Sequence, residues 1–202
     1  MSRKEKRHLL AELISWAFFP PFIATLFFTF LIFWYAVDFG EGLKWIVVVS
    51  PFLIIVPIIF FAVSLKLGWI SDIDLSRREE RPAFLSVFIG SLAVALAVLY
   101  ILKVPENLLI YVLSALLVVI FSSIITLYWK ISFHTAVTAS VITAITILGG
   151  GAFSWMFLLI LPVGWARVVL ERHTLYQVIG GTLIAFVITW AVFYLFGYSF
   201  KM

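Results

Sequence analysis

"KISFHTAVTASVITAITILGGGAFSWMFLLILPVGWAR", residues 130–167, carries no Asp, Glu, Lys or Arg between its first and last residues. A helix rises about 1.5 Å per residue, so a single rod of this length would far exceed the ~30 Å hydrocarbon core of a bilayer. Gly149, Gly150 and Gly151 interrupt the run, and consecutive glycines favour a turn over continued helix. The run is therefore read as two short membrane crossings joined by a glycine turn. That reading sets the number of crossings, and with it which loops share a face.

Outward from this stretch, uncharged runs long enough to span lie between Glu12 and Asp38, Lys44 and Lys66, Arg81 and Lys103, and Glu106 and Lys130. Each approaches or exceeds the roughly 20 residues a helix needs once its backbone must be hydrogen-bonded without water. A last run from about Leu175 to Phe196 brings the total to seven. Pro20, Pro21, Pro51, Pro57 and Pro162 fall inside these segments, which membrane helices tolerate better than soluble ones. The expected fold is all-α, a polytopic transmembrane bundle of about seven helices, with residues 1–202 as one domain.

Composition agrees. Of 202 residues, 64% are hydrophobic and 12% charged, too apolar for the surface of a water-soluble fold of this size. Cysteine is absent, which excludes disulfides, thiolate catalysis and Cys-based metal sites. The net charge of +4 suits a membrane-facing bias and gives no basis for nucleic-acid binding. No cleavable leader is expected, because the first apolar stretch is too long and lacks a small-residue cleavage site.

If all seven segments cross, one face holds Arg3, Lys4, Lys6, Arg7, Lys66, Arg77, Arg78, Arg81, Lys130, Arg167 and Arg172, against Lys44, Lys103 and Lys201 opposite. The excess of positive charge predicts that this face, with the N-terminus, is cytoplasmic. Setting aside Arg78, Arg81, Lys130 and Arg167 as candidate functional cations leaves the bias in place.

Three polar clusters fall on that face: "SDIDLSRREERP" at 71–82, "WKISFHT" at 129–135 and "WARVVLERHTLYQVIGG" at 165–181. Taken singly, each reads as a solvated loop, an interfacial Trp and Lys anchor, or helix-end arginines. Together they place His134 and His173 on one face with Arg81, Lys130 and Arg167. Two imidazoles and several fixed cations suit phosphoryl chemistry without a metal. One histidine attacks phosphorus, the other protonates the leaving oxygen, and the cations neutralise the equatorial oxygens. If Ser132 begins a helix, its hydroxyl and the following amides add an anion site.

In order and approximate spacing, the clusters resemble the signature of the type 2 phosphatidic acid phosphatase superfamily. That signature is a lysine followed after six residues by Arg-Pro, then Pro-Ser-Gly-His, then Ser-Arg followed after five residues by His and after three more by Asp. Arg81-Pro82 matches the end of the first motif, Ser132 and His134 the second, and Arg167 and His173 the third, with VVLER between them. The resemblance covers about residues 66–185 and implies a six-helix phosphatase-like core acting without a metal or other cofactor. It implies that His173 is the nucleophile forming a phosphohistidine and that His134 is general acid and then base. Arg81, Arg167 and Ser132 would hold the phosphoryl oxygens.

The chain departs from the signature at three positions. Asp74 stands where the lysine belongs, so Lys130 or Arg78 is expected to supply that cation. Phe133 replaces the glycine. Gln177 replaces the aspartate that orients the nucleophile; four residues after His173 on a helix, its amide oxygen can still accept a hydrogen bond from the ring but adds no charge. The expected function is hydrolysis of a lipid phosphate or diphosphate, of phosphatidate or isoprenoid type, at the bilayer surface. A non-catalytic phospholipid binder or transporter retaining the anion pocket remains the alternative. A prenyltransferase reading of "DIDLSRREERP" lacks a second aspartate-rich motif, because the chain contains only Asp38, Asp72 and Asp74.

Overall fold

The computed structural model describes residues 2–72, 75 and 77–200, with the Arg78 side chain outside the description. Nine α-helices follow in order among these residues: α1 (Arg3–Ala17), α2 (Pro20–Tyr35), α3 (Phe39–Ser50), α4 (Val56–Lys66), α5 (Arg81–Ile101), α6 (Glu106–Thr126), α7 (Phe133–Gly149), α8 (Ile160–Val169) and α9 (Leu175–Leu195). No strand occurs among the described residues. Six stretches are long and apolar enough to cross a membrane: Arg3–Tyr35, Phe39–Lys66, Arg81–Ile101, Glu106–Thr126, Gly151–Val169 and Leu175–Leu195. The shorter α7 is apolar as well, and its 17 residues span about 25 Å. Large apolar side chains such as Phe22, Leu26, Phe30 and Trp34 on α2 remain exposed on the outer surface, as lipid-facing positions require.

Prolines divide the longer stretches, and the structure answers the hydrogen bonds they remove. The run expected between Glu12 and Asp38 is broken at Phe18 and Phe19, where Phe19 takes an extended conformation before Pro20 and Pro21 in the first turn of α2. A residue before proline is pushed out of the helical region, so α1 and α2 are separate helices. Pro51 opens a π-helical turn at Pro51–Ile55 between α3 and α4. Its missing N–H would orphan the Val47 carbonyl, which instead accepts from Ser50 Oγ at 3.3 Å. The Val56 N–H bonds to the Pro51 carbonyl, and Pro57 has no N–H, so the Phe52 carbonyl lacks a helical donor. Ser91 Oγ from α5 donates to it, pinning the irregular turn to its neighbour. Residues Gly151–Leu159 form a 3₁₀ helix that becomes α8 at Ile160, just before Pro162, whose ring would clash with the Leu158 carbonyl in a continuous α-helix.

At the centre lies α7, packed against α2, α6, α8, α9 and the 3₁₀ segment. Its sequence is rich in Ala, Ser and Thr, and Thr138, Thr143 and Thr146 donate back to the carbonyls of His134, Ala139 and Ile142. Small residues with self-satisfied hydroxyls let helices approach closely without a water-driven hydrophobic effect. The expected glycine turn forms at Gly150, whose φ of 98° is open to glycine at little steric cost. The tightest approach is between α9 and the start of α7. A Cβ on Gly181 would lie 2.5 Å from the Ser132 carbonyl oxygen, and one on Gly180 would lie 2.6 Å from the Trp129 ring.

Backbone cannot step aside as a flexible side chain can. Gly181→Ala is therefore expected to destabilise the bundle by roughly 1–3 kcal/mol, the usual scale of an overpacked contact. Gly90→Ala on α5, where a Cβ meets nothing within 4 Å, should be neutral or gain up to about 1 kcal/mol from helix propensity. Thermal unfolding in one detergent compares the two.

Candidate functional site

The site begins with a turn. After α8 ends, Glu171 adopts φ 56°, a left-handed conformation uncommon outside glycine. The amides of Arg172 and His173 then both donate to the Arg167 carbonyl, at 3.1 and 3.2 Å. Thr174 caps α9: its hydroxyl accepts from the Gln177 N–H at 3.3 Å, and Gln177 Oε1 accepts from the Thr174 N–H at 3.1 Å. The five residues between Arg167 and His173 are thus one left-handed helix termination, which folds the histidine back over the end of α8.

A second segment is docked onto this turn. Ser132 is the N-cap of α7, its Oγ accepting from the Thr135 N–H at 3.4 Å. The Ser132 N–H donates to the Gln177 carbonyl at 3.2 Å, and Thr135 Oγ1 donates to the Val178 carbonyl at 3.1 Å. These bonds hold His134, on the first turn of α7, beside the start of α9. Arg81, the first residue of α5, brings in the third segment. Its Nε donates to the Leu75 carbonyl at 2.9 Å and its Nη1 to the Ile131 carbonyl at 3.4 Å. The guanidinium lies 5.9 Å from the centroid of Phe133, within cation–π range, so this ring is a platform for the arginine.

Sequence reading missed a fourth contributor, Ser15 of α1. Its Oγ accepts from Arg167 Nη1 at 2.6 Å and lies 3.4 Å from His134 Nε2. A signal was present: His8, Glu12 and Ser15 recur at spacings of four and three, one polar face of a helix. All three line a cavity of about 510 Å³ with Trp16, Asp72, His134 and Arg172. The Phe19 ring, at the break between α1 and α2, packs 6.2 Å from that of His134.

Arg167 is 2% exposed, Arg81 4%, His134 6% and His173 7%. His134 and His173 lie within each other's electrostatic reach and within that of both arginines. Burial, then Arg167, Arg81 and Lys130 in turn, push the His173 pKa down to about 3, with the nearby Gln177 amide opposing the shift. The ring is therefore neutral at pH 7. Lys130 is also pushed below the usual lysine range, by burial and then by Arg81, Arg167 and Arg172, while Asp72 opposes the shift. It stands inside a cationic cluster with Arg81, Arg167 and Arg172. Among the described residues, no three His, Asp or Glu side chains gather to hold a metal ion.

Gln177 Oε1 is directed to the Thr174 N–H, and His173 Nδ1 is sealed from solvent without a hydrogen-bond partner among the described residues. The same Gln177 side chain also contributes a hydrogen bond to the His173 ring that opposes the downward pKa shift. Ser132 is fully buried, its hydroxyl capping α7 and its N–H donating to the Gln177 carbonyl; like Arg81, Arg167 and His173, it is not among the residues that line the cavity. Asp74 and the Arg78 side chain lie outside the described residues. No family model matches this chain, and no curated protein or solved structure matches it.

The depressed His173 pKa has a stability consequence. Between the unfolded value of about 6.5 and about 3, the unfolded chain binds a proton that the folded one does not. Stability from this group is thus complete above pH 6.5 and lost as pH falls toward 3. His173→Gln should flatten the acid-side decline of Tm across that window, measured by thermal unfolding in detergent from pH 8 to pH 4.

Proposed function

We propose that this chain is an integral membrane phosphatase that hydrolyses a lipid phosphate or diphosphate through a phosphohistidine, a divergent relative of the type 2 phosphatidic acid phosphatases. The observation that carries the reading is the convergence of Arg81, Arg167, His134 and His173 from three separate segments at one end of the bundle. Two guanidinium groups beside two imidazoles make a cationic cluster, and a phosphate dianion is a ligand whose charge and geometry fit it. In this reading His173, neutral and nucleophilic, forms a bond to phosphorus as the ester P–O bond breaks. The leaving oxygen takes a proton from His134. Water then attacks the phosphohistidine, gives its proton to His134 and releases inorganic phosphate. Arg81, Arg167 and Lys130 hold the charge that builds on the equatorial oxygens.

A lipid substrate is favoured by what lies below the polar cavity. An apolar cavity of about 630 Å³ runs between α2, α7 and the 3₁₀ segment, walled by Phe27, Leu31, Thr138, Ile142, Ile145 and Leu148 among others. His134, Thr138, Ile142, Ile145 and Leu148 recur every three or four residues, so one stripe of α7 passes from the phosphate end into this groove. From Thr138 to Leu148 the helix rises about 15 Å, half of the hydrocarbon thickness, which suits one hydrocarbon chain with its phosphate at the surface. The excess of positive charge on the N-terminus and the loops at this end supports a cytoplasmic placement for it.

A second reading, a phospholipid binder without catalysis, is favoured by the capping role of Gln177, which leaves the nucleophile without its customary carboxylate.

Trapping separates the two. Incubation with ³²P-labelled phosphatidate followed by a denaturing quench is expected to leave label on the protein, stable to base and labile to acid, and His173→Ala should abolish it. Label persisting in that variant would remove His173 as nucleophile, and binding without label or turnover would establish the second reading. Arg167→Ala should lower kcat/KM by roughly 10²–10³-fold, the scale of losing one transition-state donor. Chelation with EDTA should leave the rate unchanged, and loss on chelation would contradict the mechanism.

A further inference from the structure

Ser15 Oγ lies where two groups of the site converge. Arg167 Nη1 donates to it at 2.6 Å and His134 Nε2 approaches it at 3.4 Å. If Arg167 and His134 act on one substrate, this is the position that a substrate oxygen must take. A serine hydroxyl has the size and the acceptor lone pairs of a phosphoryl oxygen, but no charge. We propose that Ser15 occupies the seat of a phosphoryl oxygen, so that α1 plugs the resting site and its hydroxyl must be displaced before an anion can engage Arg167 and His134.

The surroundings of the plug agree. Glu12 and Asp72 place carboxylates on the wall of the same cavity, where they oppose entry of an anion past α1. Glu12 is paired with His8 at 3.5 Å, one turn nearer the N-terminus. α1 is separated from α2 by the break at Phe18 and Phe19 and packs on α8, the helix that carries Arg167. Leu9, Leu13 and Trp16 are exposed on an adjacent face of α1, and four cations, Arg3, Lys4, Lys6 and Arg7, stand at its start. That is the composition of a helix lying at a membrane interface, whose position can shift without unfolding the bundle. Ser15 is not among the motif residues of the resemblance.

The inference rests on the anion-site reading given above, and its sign distinguishes it from a structural role. A serine that only braced Arg167 and His134 would weaken binding when removed; a serine that competes with the ligand strengthens it. Binding of inorganic phosphate and, separately, of dioleoyl phosphatidate is measured by calorimetry in dodecyl maltoside micelles for the wild type, Ser15→Ala and Ser15→Thr. Removing a competing hydrogen bond to a charged donor should tighten both ligands roughly tenfold in Ser15→Ala, while Ser15→Thr, which keeps the hydroxyl, stays within about twofold of the wild type. A gain in phosphatidate binding alone would place the effect on the lipid tail and overturn the proposal, as would weaker or unchanged binding in both arms. If Ser15→Ala does not fold, Ser15→Cys keeps the volume with a weak acceptor, and the same gain is required of it. Since neither measurement needs turnover, tighter binding without phosphohistidine would sink the phosphatase reading and leave the plug standing, and turnover without tighter binding would do the reverse.

Discussion

Two guanidinium groups sealed from water at one end of a membrane bundle constrain everything around them. An arginine cannot shed its charge, so its burial must be compensated by acceptors. Arg81 finds the carbonyls of Leu75 and Ile131, and Arg167 finds the hydroxyl of Ser15. Each partner comes from a different part of the chain. The arginines thereby tie the 67–80 connection, the lead-in to α7 and the first helix to one another. The placement of Arg81 breaks a local preference as well: it stands in the first turn of α5, where the helix dipole disfavours a cation. Sites that break local rules while costing stability are where function is to be sought.

Around this cluster, Phe133 and Gln177 each have a structural role. Phe133 supports the Arg81 guanidinium, and Gln177 completes the capping box of α9. A glutamine at the third helical position reaches back to the N-cap amide as an aspartate, one methylene shorter, does less readily. The glycine pair Gly180 and Gly181 serves the same junction, because only hydrogen at those positions lets α9 lie against Trp129 and the Ser132 carbonyl.

The polar and apolar features of the fold are continuous along α7. Its first turn presents His134 to a polar cavity, and the same stripe, farther along, walls an apolar groove. Helical periodicity alone makes such a gradient, since residues three and four apart share a face. A molecule with a charged end and a hydrocarbon tail meets both environments in one register.

How much of this was legible beforehand follows from the range of the forces involved. Hydrophobic runs and glycine or proline breaks are local, so the helical class, the crossings and the turn at Gly149–Gly151 could be read from the chain alone. The interval from Arg167 to His173 was visible only as a spacing, and the left-handed helix ending that it forms came from the structure. The division of the first run at Phe18 and Phe19 was signalled by Pro20 and Pro21 but depended on where α1 found a partner. Ser15 beside Arg167 and His134, Phe133 beneath Arg81 and the sealed Nδ1 of His173 were decided by tertiary structure. Each depends on contacts between residues up to 152 positions apart, and no periodicity encodes which face of one helix meets which end of another. Packing in a low-dielectric interior, where each polar group must find a partner, selects among those arrangements.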